Sequence, residues 1–101
     1  MKTEGYYFVY IVTNKNKTVL YTGITNDLPR RIMEHEEASI PFHYKSFAGH
    51  YNAYFLVHYE CFANILDAIG REKEIKGWRR SKKEKLINEN NPDWKFLNNE
   101  V

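Results

Sequence analysis

Tyr6 to Thr13 is a run of aromatic and β-branched residues, Asn14-Lys15-Asn16-Lys17 supplies turn chemistry, and Thr18 to Thr22 is again strand-like. That order predicts a β-hairpin at the start of the chain. In strand alternation Phe8, Tyr10 and Val12 share one face, and Val19, Tyr21 and Gly23 share one face of the second strand. Tyr10 and Tyr21 therefore fall on the same side of the sheet if the register brings those faces together.

Thr25-Asn26-Asp27 offers N-cap oxygens and Pro29 suits only a first helical turn, so a helix is expected from about Leu28 to Glu37. Leu28, Ile32 and His35 form its inner stripe, with Arg31 beside it and one turn before His35, while Arg30 and Glu34 point to solvent. Ala38 to Asn52 carries Pro41 and Gly49 without a clear period and reads as a loop. Ala53 to Tyr59 alternates as a third strand. From Asn64, Ile65, Ala68, Ile69 and Ile75 recur at helical spacing until Gly77, and Ser81 with Glu84 has the pattern of a capping box for a last helix that Asn91-Pro92 stops. The element order β-β-α-β-α-α predicts an α+β domain over residues 1–101, with a three-stranded antiparallel sheet flanked by helices.

Composition narrows the class. With 101 residues, 43% hydrophobic, 16% aromatic and 28% charged, the chain is too apolar for disorder and too charged for a membrane protein, and it has room for one modest core. The only cysteine, Cys61, can form no internal disulfide, and a cytoplasmic location is the default. His35, His43, His50 and His58 lack the spacing of a structural zinc site and are expected to be solvated or half-buried. Arg71 to Lys85 holds eight of the fifteen basic residues against three acids, which is either a footprint for a polyanion or a solvated helix face laced with ion pairs.

Glu72 carries the most information. It stands four residues after Ala68 and three before Ile75, on the stripe that should face the protein, where a carboxylate needs a cation, as a metal ion or as a nearby Arg or Lys. Arg31 and His35, one turn apart, could reach a cleft above the hairpin, and the arginine fork suits a phosphate. Taken singly, Arg31 reads first as an exposed Arg-Glu helix pair and His35 as a satisfied boundary imidazole.

Phe8-Val9-Tyr10 followed, after ten intervening residues, by Tyr21-Thr22-Gly23 resembles the paired signature of the GIY-YIG nucleases, in their small stand-alone YhbQ-like, UPF0213-type branch. The first motif keeps only its tyrosine, and the second has Thr for Ile. The likeness continues through Thr25-Asn26-Asp27-Leu28, Arg30-Arg31 and His35, through Arg71-Glu72-Lys73-Glu74-Ile75-Lys76 with Trp78-Arg79-Arg80, and on to Asn91-Pro92-Asp93-Trp94 with Leu97. It departs at Ser46-Phe47-Ala48-Gly49-His50, where relatives carry a Phe-Thr-Lys-type stretch.

The resemblance implies the GIY-YIG fold, with Tyr10, Tyr21, Arg31, His35 and Glu72 as catalytic residues. Glu72 would be the protein ligand of one Mg²⁺ or Mn²⁺ ion, and the family's late asparagine would map to Asn91. It further implies phosphodiester hydrolysis on nucleic acid, DNA foremost, with repair or recombination as the setting. Nearby cations would lower the pKa of a tyrosine acting as base. Arg79, Arg80, Lys82 and Lys83 are the expected nucleic-acid contacts, with no role at a membrane. A partner protein could supply specificity, since no second DNA-binding domain is read in the chain. The competing expectation is a nucleic-acid-binding module of the same fold with little or no catalysis. A protein-interaction domain anchored by Trp78 and Trp94 ranks last, because both suit a small core.

Overall fold

The computed structural model describes residues 3–38 and 52–101. The loop reading of 38–52, its departure at Ser46 to His50, and His43 therefore fall largely outside the described residues.

Strands β1 (Tyr7–Thr13) and β2 (Leu20–Thr25) form the expected hairpin, and β3 (Phe55–Phe62) pairs with the other side of β1, giving an antiparallel sheet in the order β2-β1-β3. Strand β2 starts two residues later than expected because Asn14 takes over the turn. Its Oδ1 accepts from the amides of Thr18 at 2.8 Å and Val19 at 3.1 Å, which keeps them out of the ladder. Strand β3 is shifted toward the C-terminus, since Tyr7 to Val9 find their partners in Glu60 to Phe62. A bulge opposite Ile11 and Val12 inserts Val57 between Leu56 and His58.

Helix α1 (Leu28–Ala38) begins where Asp27 Oδ1 accepts the Arg30 amide. Helix α2 (Ile65–Lys76) is capped by Asn64, whose side chain accepts the Leu66 amide at 2.8 Å, and it ends at Gly77. Gly77 has φ −78°, so this end makes no use of glycine's left-handed freedom. Helix α3 (Arg80–Asn90) does not use the capping box expected of Ser81 and Glu84. Its N-cap is Arg79, without a side-chain cap bond. Its start is pinned instead by Arg80, whose guanidinium donates to the carbonyls of Thr18 at 2.6 Å and Lys17 at 2.8 Å, while Glu84 accepts from Arg80 Nε.

Alternation along β1 splits the core in two. Phe8, Tyr10 and Val12 pack with Leu28 and Ile32 of α1 on one face. Val9 and Ile11 pack with Ala68 and Ile75 of α2 and Ile87 of α3 on the other. Trp78 and Trp94 are half-buried against this second core. The sheet therefore separates a layer carrying α1 from a layer carrying α2 and α3.

Candidate active site

On the α1 face the register sets Tyr10 opposite Gly23 and Val12 opposite Tyr21, so both tyrosines stand on one side of the sheet. The Tyr10 ring lies across β2 at Gly23. A Cβ added at Gly23 would fall inside the Tyr10 hydroxyl and ring edge, so only glycine lets the phenol cross the strand there.

The Tyr10 hydroxyl ends at two residues of α1. Its Oη lies 2.8 Å from His35 Nε2, and Arg31 Nε donates to it at 3.2 Å. The guanidinium can only donate to this oxygen, and in the tautomer that leaves His35 Nε2 unprotonated the phenolic proton goes to that nitrogen. The electrostatics agree. Burial, reinforced by the Arg31 charge, drives His35 down to about 4 against the opposing pull of Glu34. Burial likewise pushes Tyr10 up to about 12, although Arg31 pulls the other way. The expectation that nearby cations would lower a catalytic tyrosine is thus reversed for Tyr10: one bonded guanidinium does not offset the loss of water around a phenol that is 0% exposed.

His35, 1% exposed, is more deeply enclosed than a boundary residue, and its ring also meets Tyr21 edge-on with centroids 5.4 Å apart. Tyr21 is half-buried and Arg31 partly exposed, so these two form the outer part of the cluster. Glu34 is exposed, as expected, and at the surface its carboxylate pairs with Arg31 Nη1 at 3.3 Å.

Glu72 is not brought to this cluster. It lies on α2, in the layer behind the sheet, with its side chain 14% exposed and its Oε2 paired with Lys76 Nζ at 2.9 Å. Ile65 and Ile69 of α2 line a groove with Ile24 and Thr25 of β2, whereas Arg71 turns to Glu60 of β3. Helical spacing continues the Ile65 and Ile69 stripe through Glu72 to Lys76, so Glu72 belongs to the flank of α2 that follows edge strand β2. Among the described residues no three His, Cys, Asp or Glu side chains gather as a metal site. A single carboxylate still fits a hydrated Mg²⁺-type ion, which keeps most of its waters. In the same layer, facing α2 from β2, the Thr22 hydroxyl is buried without a hydrogen-bond partner among the described residues.

Asn91 is occupied structurally. Its Nδ2 donates to the carbonyls of Val57 and Lys95, and its Oδ1 accepts the Lys95 amide, which ties the C-terminal segment to β3. Among the basic candidates, Arg79 and Lys82 are exposed, Lys83 is half-buried, and Lys82 stands over the Trp78 ring at 4.4 Å. Arg80 is tied to the hairpin carbonyls described above.

Three features escaped the sequence reading: the crossing at Gly23, the orphaned Thr22 hydroxyl, and a network in which Glu60 accepts from Arg71 at 2.8 and 3.1 Å and meets His58 at 2.7 Å. Burial alone would raise the Glu60 carboxyl, but the bonds from His58 and Arg71 hold it down at about 2. The i, i+2 spacing of His58 and Glu60 in a strand was its only advance signal. His58, expected to be solvated or half-buried, is buried by this pairing.

The comparisons with known proteins agree with the fold. The model of the GIY-YIG catalytic domain matches residues 6–86. A UPF0213 protein of Haloquadratum walsbyi is 38% identical over 86 residues, spanning 85% of this chain and 91% of its own length. A UPF0213 protein of Staphylococcus saprophyticus is 36% identical over 83 residues, spanning 82% and 95%. The solution structure of a UPF0213 protein from Bacillus halodurans superposes with a TM-score of 0.56 at 28% identity, covering 88% of this chain and 89% of that one. The matched span, these relatives and the shared order of strands and helices establish that this chain belongs to the GIY-YIG family.

Proposed function

We propose that the chain is a metal-dependent endonuclease that hydrolyses phosphodiester bonds of nucleic acid, DNA foremost, in repair or recombination. The observation that carries this reading is Arg31, a partly exposed guanidinium held at Nε by the buried Tyr10 hydroxyl and at Nη1 by Glu34. Two anchors fix its plane, and such an arginine suits two phosphate oxygens and the charge that grows on them in the transition state. Because Tyr10 is enclosed, its role is to hold Arg31 and His35 in place. Tyr21, the outer tyrosine, is assigned to the attacking water as general base. Glu72, from the opposite layer, is assigned as the protein ligand of the ion. One Mg²⁺ or Mn²⁺ ion bound there would polarise the phosphoryl group and stabilise the leaving 3′ oxygen.

Two observations favour a second reading, a nucleic-acid-binding module with little or no turnover. They are the complete burial of Tyr10 and the pairing of Glu72 with Lys76 in the layer behind the sheet. One experiment separates the two. The purified protein and its Arg31→Ala variant are incubated with branched, nicked, single-stranded and double-stranded substrates in Mg²⁺, Mn²⁺ or EDTA. A nuclease cuts at least one substrate with metal, not in EDTA, and loses the activity with Arg31. Binding without cleavage on every substrate supports the module.

A further inference from the structure

Thr22 is 4% exposed, and its hydroxyl is the one buried side-chain polar atom without a partner among the described residues. Such a group lowers stability, and native proteins keep very few of them, most tellingly at functional sites. Valine has the same shape and would fill the position without that cost.

What lies opposite follows from how α2 runs along β2. Its first turns, at Ile65 and Ile69, sit beside Ile24 and Thr25. Just beyond its end, Arg80 bonds the carbonyls of Lys17 and Thr18. Helix and strand are therefore antiparallel. From the level of Ile24 and Thr25 back to Thr22 is about 8 Å at roughly 3.4 Å per strand residue, which is about five helical residues at ~1.5 Å each. Five residues on from the middle of Ile65–Ile69 is Glu72, on the flank already assigned to it.

We propose that Thr22 is a positioning residue for the Glu72 carboxylate. Its hydroxyl is the neutral donor that holds the carboxylate toward the β2 edge when a divalent cation takes the place of the Lys76 ammonium. The chemistry favours a hydroxyl for this task, because a neutral donor orients a carboxylate without cancelling the charge that attracts the cation, as Lys76 does. The inference rests on Glu72 being the ligand of the ion. It also gives a site reason for the threonine at the middle of Tyr21-Thr22-Gly23, where an aliphatic residue would pack against α2 equally well.

The test uses the full chain and needs no nuclease activity. Mn²⁺ affinity is measured by the loss of the free-ion electron paramagnetic resonance signal, alongside thermal melting in EDTA, for the parent protein and for Thr22→Val, Thr22→Ser and Glu72→Gln. Thr22→Val is expected to melt higher than the parent, because the orphaned hydroxyl is gone, yet to bind Mn²⁺ about 10-fold to 100-fold more weakly. Thr22→Ser is expected to bind like the parent. Parent-like Mn²⁺ affinity in Thr22→Val with weak binding in Glu72→Gln would overturn the role of Thr22 and leave Glu72 as the ligand. Parent-like affinity in Glu72→Gln, or no Mn²⁺ binding by the parent, would overturn both.

Discussion

At the scale of single residues, the Tyr10, His35 and Arg31 cluster makes stability depend on pH in a definite direction. His35 is held at about 4 in the folded chain, against ~6.5 for a free imidazole. The unfolded chain therefore binds the extra proton first, and stability falls as pH drops from ~6.5 toward 4, by on the order of 3 kcal/mol at full effect. Thermal melting between pH 7 and pH 4 should show that fall, and His35→Gln should flatten it. The Glu60 carboxyl contributes separately and lower, through the interval from its ordinary value down to about 2. Gly23→Ala is expected to cost about 1–3 kcal/mol, because its methyl group must displace the Tyr10 phenol; a parent-like melting temperature would show that the ring moves aside freely. Strand alternation put Tyr10 and Tyr21 on one face and helical spacing put Arg31 with His35, and it was the family resemblance that joined the two pairs. The demand on Gly23 was not, since the residue a tyrosine ring crosses depends on a register that the sequence does not reveal.

At the scale of elements, what misled the sequence reading was contacts made at a distance. The capping box at Ser81 and Glu84 is a local pattern, but Arg80 reaches the hairpin carbonyls some sixty residues earlier, and that long-range bond decides where α3 begins. Arg80 had been grouped with Arg79, Lys82 and Lys83 as a nucleic-acid contact. Its removal should therefore lower the melting temperature as well as any affinity, whereas Lys82→Ala and Lys83→Ala should leave melting nearly unchanged. Circular dichroism melts of the single variants check this, and equal melting in all of them would return Arg80 to the group. The bulge at Val57, which shifts the register of β3 between Leu56 and His58, was likewise invisible in a run that alternates well without it. Helix α2 offers a gain instead of a loss. Gly70 is exposed in mid-helix, and a Cβ there meets nothing within 4 Å. Gly70→Ala should stabilise by about 0.5–1 kcal/mol, and an unchanged melting temperature would mean that α2 gains nothing from a better helix former.

At the scale of the whole molecule, the sheet stands between the two halves of the proposed site, with Arg31, Tyr10, Tyr21 and His35 in front and Glu72 behind. Edge strand β2 is where they can meet, since the Tyr10 phenol crosses it from one side and the Glu72 flank of α2 follows it on the other. Glu72→Gln tests whether the two layers act on one phosphate, because it deletes the charge and keeps the shape. The Lys76 side chain is half exposed, so losing its partner leaves an ammonium that water can solvate, and melting should change by no more than the ~0–1 kcal/mol of a surface pair. A structural ion pair on the core side would have predicted a large loss. Nucleic-acid binding should persist in Glu72→Gln and weaken in Arg31→Ala, while cleavage should collapse in both. The assignment fails if Glu72→Gln cuts at the parent rate in metal-limited buffer, and the front layer would then have to contain the whole site. Loss of cleavage with melting and binding intact would join the two layers at the β2 edge.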